Sequence, residues 1–498
     1  MTTVAFGAVT LLVGDLLADA AAVAPAGLAA TLDGLSVTYR ELDERATRYA
    51  AALARMGLKR GDRVVWWSGP DLRSLAGFGG IARRGLVFCP LNPAFGIEEA
   101  APALAYLRPG LIVAGSGLRE VAEDIGAAPV VGIDDLDAPG APAPTVPLAG
   151  TDPHIIYMTS GTTGRPKGVV VSHAASWLRS FPGGSTFAAG LRGDGGILPS
   201  FPLFHYGGWH YVLEAWHHRC AIHLCRRFDG PTLVQEAGRW RPTAMYCIPA
   251  VWNRVLEESP QGRGLESVRH ADTGTSAAPP QLLERLRRAV PDATTSILYG
   301  SSEGGHHTTL HDRDVAARPG SVGRVAPPGV IRLSAEGEIL YRGPTLMDGY
   351  FDRPEETASA LRDGWYHTGD LGVQDDDGFV YITGRAREVI RTGGETVAPV
   401  EVEQAMAGLA GIADLAVVGM ADDTWGEVVC AVVVPAGDGP VPALEEIRAH
   451  LAGRLAAFKH PRRVVAARSI PRTPATGQVQ RTLVRDLLDG TGPGPRSG

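Results

Sequence analysis

Apolar positions recur at helical spacing from Asp15, and again over Asp43–Met56, where one face is apolar and the other charged. Ser36–Tyr39 and Arg40–Leu42 read as the turn leading into that second helix. Short, almost wholly apolar runs follow: Val64–Trp67, Val87–Phe88, Leu111–Val113 and Val130–Ile133. Runs without a polar face predict strands covered on both sides. Their alternation with helices predicts a mainly parallel α/β sheet.

A Pro- and Ala-rich loop, Asp137–Leu148, precedes a strand at His154–Met158, a Gly-rich turn at Thr159–Gly168 and a second strand at Val169–Ser172. Helices and strands alternate again from Leu191 to Tyr299. Gly329–Tyr381 is dense in short strands and Gly/Asp turns, as in a small β-barrel. Beyond the polar stretch Gly384–Glu388 the pattern predicts helices at Val400–Met406 and Leu444–Leu455, and strands at Ile412–Met420, Val428–Val434 and Arg463–Ala467. The expected organisation is therefore α/β: a large N-terminal domain over residues 1–385, a small mobile α+β domain over 386–488, and a disordered tail over 489–498.

With 498 residues, 45% of them hydrophobic, the chain can build sizeable cores. A net charge of −7 offers no basic field for a phosphate backbone, which argues against a nucleic-acid partner. Five scattered cysteines fit a reducing cytoplasm rather than a disulfide framework. No run reaches the roughly 18 to 20 apolar residues of a membrane span, and the apolar opening Val4–Val13 lacks a basic flank, so neither a membrane partner nor a signal peptide is expected. Lysine is confined to Lys59, Lys167 and Lys459. A mechanism that needs a flexible point charge has three places to find it.

The densest chemistry lies in Tyr157-Met-Thr-Ser-Gly-Thr-Thr-Gly-Arg-Pro-Lys-Gly168. Its backbone N–H groups and the hydroxyls of Thr159, Ser160, Thr162 and Thr163, with Gly161, Gly164 and Lys167, suit a phosphate chain. The spacing is not that of a Walker A loop. His217–Cys225 offers His and Cys, but Cys220, Ile222 and Leu224 alternate with Ala221, His223 and Cys225 as a strand would, which favours sheet over a metal site. Trp66, Trp67 and Trp252 read as core.

The Gly-rich run closely resembles the signature of the adenylate-forming superfamily of acyl-CoA synthetases, luciferases and peptide-synthetase adenylation domains. Further matches follow in the family's order: Pro202-Leu-Phe-His-Tyr-Gly207, Ser276-Ala-Ala-Pro279, Tyr299-Gly-Ser-Ser-Glu303, Tyr366-His-Thr-Gly-Asp370, Gly384 through Glu395, and Pro471-Arg-Thr-Pro-Ala-Thr-Gly477. The resemblance covers almost the whole chain.

It implies that Ala277, Tyr299, Gly300, Ser302, Asp370 and Arg385 hold AMP: Tyr299 stacks on adenine, Ser302 bonds the α-phosphate, Asp370 takes the ribose hydroxyls, and Arg385 donates to ribose or phosphate. It implies a Mg²⁺ ion at Glu303. His205 would gate the passage between acyl pocket and pantetheine tunnel. Gly207, Gly208, Gly304 and Gly305 would line the acyl pocket, leaving volume for a bulky apolar acid. Arg387 would be the hinge about which the C-terminal domain rotates, and Arg391 with Gly393 and Gly394 would line the tunnel for coenzyme A.

One position departs from the pattern. Relatives that make the adenylate carry a lysine directly after this Thr-Gly, and here it is Gln478. An amide cannot offset the charge of carboxylate meeting phosphate, and losing such a preorganised group costs on the order of 10²–10³ in rate. The leading expectation is an acyl-CoA ligase that takes a preformed acyl-adenylate, made by a separate ligase, and passes the acyl group to coenzyme A. A complete ATP-dependent synthetase, a ligase acting on a separate carrier protein and a non-catalytic nucleotide- or acyl-binding protein are the alternatives.

Overall fold

The computed structural model describes residues 11–138, 141, 143–159, 167–180, 195–392, 395–437, 439–473 and 477–488. Ser160, Gly161, Thr162, Thr163, Gly164, Gly393, Gly394 and the expected tail 489–498 lie outside them. The chain divides into two compact units. The larger comprises residues 1–319, 323–331 and 341–366, and the smaller residues 320–322, 332–340 and 367–498.

Two sheets build the larger unit. In one, the apolar runs Pro153–Thr159, Val87–Leu91, Arg63–Trp67, Leu111–Ala114 and Val130–Gly132 lie side by side in that order and run parallel. Lys167–Ser172 then pairs antiparallel with Pro153–Thr159, and Gly349–Tyr350 pairs antiparallel with Lys167–Ser172. The second sheet runs Leu35–Thr38, Leu28–Leu32, Ile222–Leu224, Ile197–Pro199, Ala244–Tyr246, His270–Gly274, Ile297–Ser301, Gly305–Leu310. Trp66 and Trp252 are buried in one core, which also holds Phe78, Phe88 and Trp209, and Trp67 is buried in another. The Phe78 and Trp209 rings stack at 4.2 Å.

The second helix begins at Tyr39, four residues before the expected start. Thr38 and Glu41 close a capping box: the Thr38 N–H donates to Glu41 Oε2 at 2.8 Å, and the Glu41 N–H donates to the Thr38 hydroxyl at 3.3 Å. The segment His217–Cys225 also differs from the expected strand. Its first two residues end the helix Tyr206–His218, Arg219 turns the chain at φ 57°, and only Ile222–Leu224 is strand. His223 bridges two neighbours there, through Nδ1 to Thr31 Oγ1 at 2.9 Å and through Nε2 to the Gly195 carbonyl at 2.8 Å.

In the smaller unit, the strands Ile412–Asp422 and Gly426–Pro435 form a long antiparallel hairpin, joined in parallel by Arg463–Ala466. Val417, Val429, Ala431 and Val433 face the helices Pro399–Met406 and Leu444–Leu451. Ala416, Val418, Cys430 and Val432 point the other way, toward Ile470 and Val484 of the helix Arg481–Leu488, which the apolar pattern did not disclose. The alternation along both strands is what allows helices on both faces. Among the shorter strands, Trp365–Gln374 pairs antiparallel with Val380–Arg385. No helix among the described residues is long and apolar enough to cross a membrane.

Candidate active site

In the larger unit the Gly-rich turn is flanked by paired strands whose register sets Thr159 opposite Lys167, with the Thr159 hydroxyl donating to the Lys167 carbonyl at 3.3 Å. The Lys167 ammonium lies 4.8 Å from the centre of the Tyr350 ring. The Tyr350 hydroxyl in turn donates to Glu303 Oε1 at 2.9 Å. Lys167 and Glu303, 136 positions apart in the sequence, are thus joined through one tyrosine.

The turn Ser302–Gly304 connects the strands Ile297–Ser301 and Gly305–Leu310, and it is held from behind by Arg179. That buried guanidinium donates to the carbonyls of Ser302 at 2.9 Å, Glu303 at 2.8 Å and Thr345 at 2.7 Å. The Thr345 hydroxyl donates to the Gly304 carbonyl at 2.9 Å. Tyr299 is half-buried on the first strand, with its ring edge-on to His307 at 5.2 Å. His307 is fully buried, and neither ring nitrogen has a hydrogen-bond partner among the described residues. A side chain at Gly300 would meet the Gly305 carbonyl oxygen at 2.2 Å, so the two strands approach only because Gly300 lacks one. Ala277 is exposed, two residues beyond Thr275, whose hydroxyl lies 3.2 Å from that of Tyr246.

His205 caps the helix Tyr206–His218, its Nδ1 accepting the Gly207 N–H at 3.1 Å. The ring proton therefore sits on Nε2. Burial pushes this imidazole down to about 4, so at neutral pH it is an uncharged donor. Its ring stacks on Phe201 at 5.4 Å, and Phe201 stacks on Tyr246 at 5.2 Å.

The four glycines of the expected acyl pocket are closely packed. A side chain at Gly207 would strike the Phe201 ring at 2.6 Å, one at Gly208 the Pro202 carbonyl oxygen at 2.5 Å, and one at Gly304 His307 Nε2 at 2.1 Å. Gly305, at φ 78°, would meet Arg179 at 2.9 Å. Protein atoms pack against all four positions, so none has room for a side chain.

In the smaller unit Asp370 and Arg385 are direct cross-strand partners, with Arg385 Nε 2.9 Å from Asp370 Oδ1. Asp370 is 7% exposed. Glu338 anchors the preceding turn, Oε2 contacting His367 Nδ1 at 2.8 Å and Oε1 accepting the Gly369 N–H at 2.9 Å. Arg387 is exposed between the strands Val380–Arg385 and Ile390–Thr392. Arg391 is exposed on the latter, opposite Thr396, and its N–H donates to Glu427 Oε2 at 2.8 Å.

Gln478 is exposed, and its carbonyl accepts the Thr473 N–H at 2.8 Å. The Gly477 N–H donates back to the Thr473 carbonyl at 2.7 Å, and Arg472, paired with Asp414 at 2.6 Å, donates to the Gly477 carbonyl at 3.0 Å. Among the described residues no group of three or more His, Cys, Asp or Glu is placed to hold a metal. Sequence reasoning did not find Arg179, Tyr350 or Glu338. Each acts through residues 29 to 183 positions away, and no local motif marks such a partnership.

Comparison with known proteins agrees with this layout. Residues 17–351 match the AMP-binding enzyme family, and residues 401–476 match the AMP-binding enzyme C-terminal domain. The chain is 31% identical to an indoleacetate–CoA ligase of Aromatoleum aromaticum, over 91% of this chain and 93% of that one. It is 30% identical to the long-chain-fatty-acid–CoA ligase FadD13 of Mycobacterium tuberculosis, over 92% and 94%. Among solved structures, ATP-bound MatB from Rhodopseudomonas palustris superimposes with a TM-score of 0.86 at 27% identity, covering 95% of this chain and 99% of that one. The o-succinylbenzoate CoA synthetase of Bacillus subtilis with its acyl-adenylate gives 0.85 at 25% identity, covering 95% and 98%.

Proposed function

We propose, from the premise that the chain belongs to the AMP-binding enzyme family and is an acyl-CoA ligase, that it is specialised for the second half of the ligase reaction. In that half the CoA sulfur bonds to the acyl carbon of a mixed anhydride. The bond from that carbon to the AMP phosphate oxygen breaks, AMP leaves with the electron pair, and the thiol proton passes to solvent or to the AMP phosphate.

What supports this reading is Gln478, at the position where the motif resemblance implies a lysine in adenylating relatives, together with the surroundings of the three lysines. Lys459 is 2.5 Å from Glu401, Lys167 packs over Tyr350, and Lys59 is exposed on the larger unit. None is offered in place of the missing cation.

The thioester step needs positioning more than charge. Tyr299 with Ala277 and Gly300 takes the base, Ser302 and the Thr159–Gly164 turn with Lys167 take the phosphate, and Asp370 and Arg385 take the ribose. His205, a neutral donor, gates the passage between acyl pocket and pantetheine tunnel. Arg391, Gly393 and Gly394 admit the pantetheine arm, and Arg387 serves as the hinge. Glu303 suits Mg²⁺, which takes one or two protein carboxylates beside phosphate oxygens and shields their charge. The acid is bulky and mainly apolar, as the aromatic wall of Phe201, Tyr211 and Tyr246 would favour. A separate ligase then supplies the adenylate.

The retained link from Lys167 through Tyr350 to Glu303 favours a second reading, a complete ATP-dependent synthetase. The deciding experiment measures acyl-CoA formation from ATP and a panel of acids, for wild type and Gln478→Lys, beside formation from synthetic acyl-adenylates. Thioester from adenylates alone in the wild type, and from ATP in the variant, supports the first reading. Equal ATP-dependent activity in both establishes the second. No turnover of any adenylate points instead to a binding protein.

A further inference from the structure

One side chain touches both charged groups of the candidate phosphate site. The Tyr350 ring lies 4.8 Å from the Lys167 ammonium, and the Tyr350 hydroxyl donates to Glu303 Oε1 at 2.9 Å. The other carboxylate oxygen, Oε2, has no hydrogen-bond partner among the described residues. A carboxylate fixed through one oxygen presents the other, which is how hydrogen bonds set a protein carboxylate toward a cation.

The backbone leaves this tyrosine little freedom. Gly349–Tyr350 pairs antiparallel with Lys167–Ser172, which sets Tyr350 opposite Val169, and the Phe351 N–H donates to the Gly168 carbonyl at 2.8 Å. The Tyr350 N–H donates to the Thr357 hydroxyl at 2.8 Å. Glu303 is tied to the same segment: its carbonyl accepts the Met347 N–H at 2.7 Å, and the Thr345 hydroxyl donates to the neighbouring Gly304 carbonyl at 2.9 Å. Lysine, tyrosine and glutamate thus stand on backbone that is hydrogen-bonded together, so their charges are placed before a ligand arrives. A free lysine would lose rotamer freedom on meeting phosphate, and confinement against the ring removes part of that loss beforehand.

We propose that Tyr350 is a positioning residue for a phosphate chain and its divalent cation, the ring holding Lys167 ready for phosphate and the hydroxyl turning Glu303 Oε2 toward the cation. The inference rests on the reading that Lys167 takes phosphate and Glu303 takes Mg²⁺, and it holds for either half of the ligase reaction. The ring then serves metal-free phosphate binding. The hydroxyl serves the affinity that Mg²⁺ adds.

The test is calorimetric binding of α,β-methylene ATP, with and without Mg²⁺, to wild type, Tyr350→Phe, Tyr350→Leu and a control, Tyr106→Phe. The Tyr106 hydroxyl accepts the Gly168 N–H at 3.3 Å and donates to the Phe351 carbonyl, so the control loosens the same strands through backbone contacts alone. Tyr350→Phe should bind the metal-free analogue within about twofold of wild type but lose about tenfold or more of the Mg²⁺-dependent gain, as when a metal-ligating carboxylate loses its hydrogen bond. Tyr350→Leu should also weaken metal-free binding about threefold, the worth of one part-exposed cation–π contact. Tyr106→Phe should keep the Mg²⁺ gain. The phenylalanine variant decides the part of the hydroxyl by itself, even where the leucine variant lowers the thermal midpoint. A gain that Tyr350→Phe keeps, a gain that Tyr106→Phe loses equally, or metal-free binding unchanged in Tyr350→Leu overturns the proposal and leaves the phosphate site standing. No Mg²⁺ gain in wild type, or no binding at all, overturns the proposal together with the roles of Glu303 or Lys167 on which it rests.

Discussion

The Lys459 ammonium lies 2.5 Å from Glu401 Oε1, both side chains being less than half exposed. A lysine so paired has its charge already compensated, and drawing it away would leave Glu401 without its partner. In the proposed reading the smaller unit brings Gln478 where a lysine would serve adenylation, and its one lysine, Lys459, is already paired. Gln478→Lys should raise ATP–pyrophosphate exchange by on the order of 10²-fold or more. Exchange that is already fast in the wild type and unchanged by the substitution would refute this.

Asp370 and Arg385 face one another across an antiparallel ladder, which fixes both without help from a ligand. Asp370→Asn keeps the shape and removes the charge. Binding of AMP, followed by calorimetry, should weaken about tenfold or more, as for loss of charge-assisted hydrogen bonds worth roughly 1.5–3 kcal/mol.

Arg179 grips three carbonyls in a planar fork that an ammonium cannot reproduce. Arg179→Lys keeps the charge but frees the Ser302–Glu303 turn. Urea unfolding should show a loss of roughly 2–4 kcal/mol, and the affinity for an acyl-adenylate analogue should fall about tenfold. If stability falls while analogue affinity holds, the arginine supports the fold alone.

Gly304→Ala would set a methyl group 2.1 Å from His307 Nε2, and His307 is already stacked on Tyr341 at 4.3 Å. With no room to retreat, the expected cost is about 1–3 kcal/mol in denaturant titration.

Stability should pass through a maximum near neutrality. Burial holds His173, His205, His217, His223 and His306 down to about 4, and His210 and His307 to about 3, against an ordinary value of 6.5. Between those values the unfolded chain binds more protons, so stability declines as pH falls from 6.5 towards 4. Glu214 and Asp272, raised to about 8 and about 7, act in the opposite sense. Their protons are bound in the folded state, and stability declines as pH rises through those values. Thermal midpoints measured across pH 4 to 9 should fall on both sides of neutrality, more steeply on the acid side. A midpoint that goes on rising as the pH is lowered to 5 would contradict it.

Much of this was present in the amino-acid sequence. The apolar pattern foretold strands at Ile412–Met420 and Val428–Val434, which run over Ile412–Asp422 and Gly426–Pro435, and unbroken apolar runs foretold the parallel strands around Arg63–Trp67. The motifs carrying Thr159, Tyr299, Asp370 and Arg385 were legible because each is a short, local constellation. The start of the helix at Tyr39 was legible too, through Thr38 and Glu41, but the pattern of apolar positions alone placed it late.

What the sequence determined by itself was the order of elements and the ligase motifs, because these reside in neighbouring residues. Tertiary structure alone decided that Arg179 holds Ser302 and Glu303, that Tyr350 joins Lys167 to Glu303, and that protein packs closely against Gly207, Gly208, Gly304 and Gly305. Those relationships join side chains and carbonyls far apart along the chain, and only the folded path brings donor to acceptor.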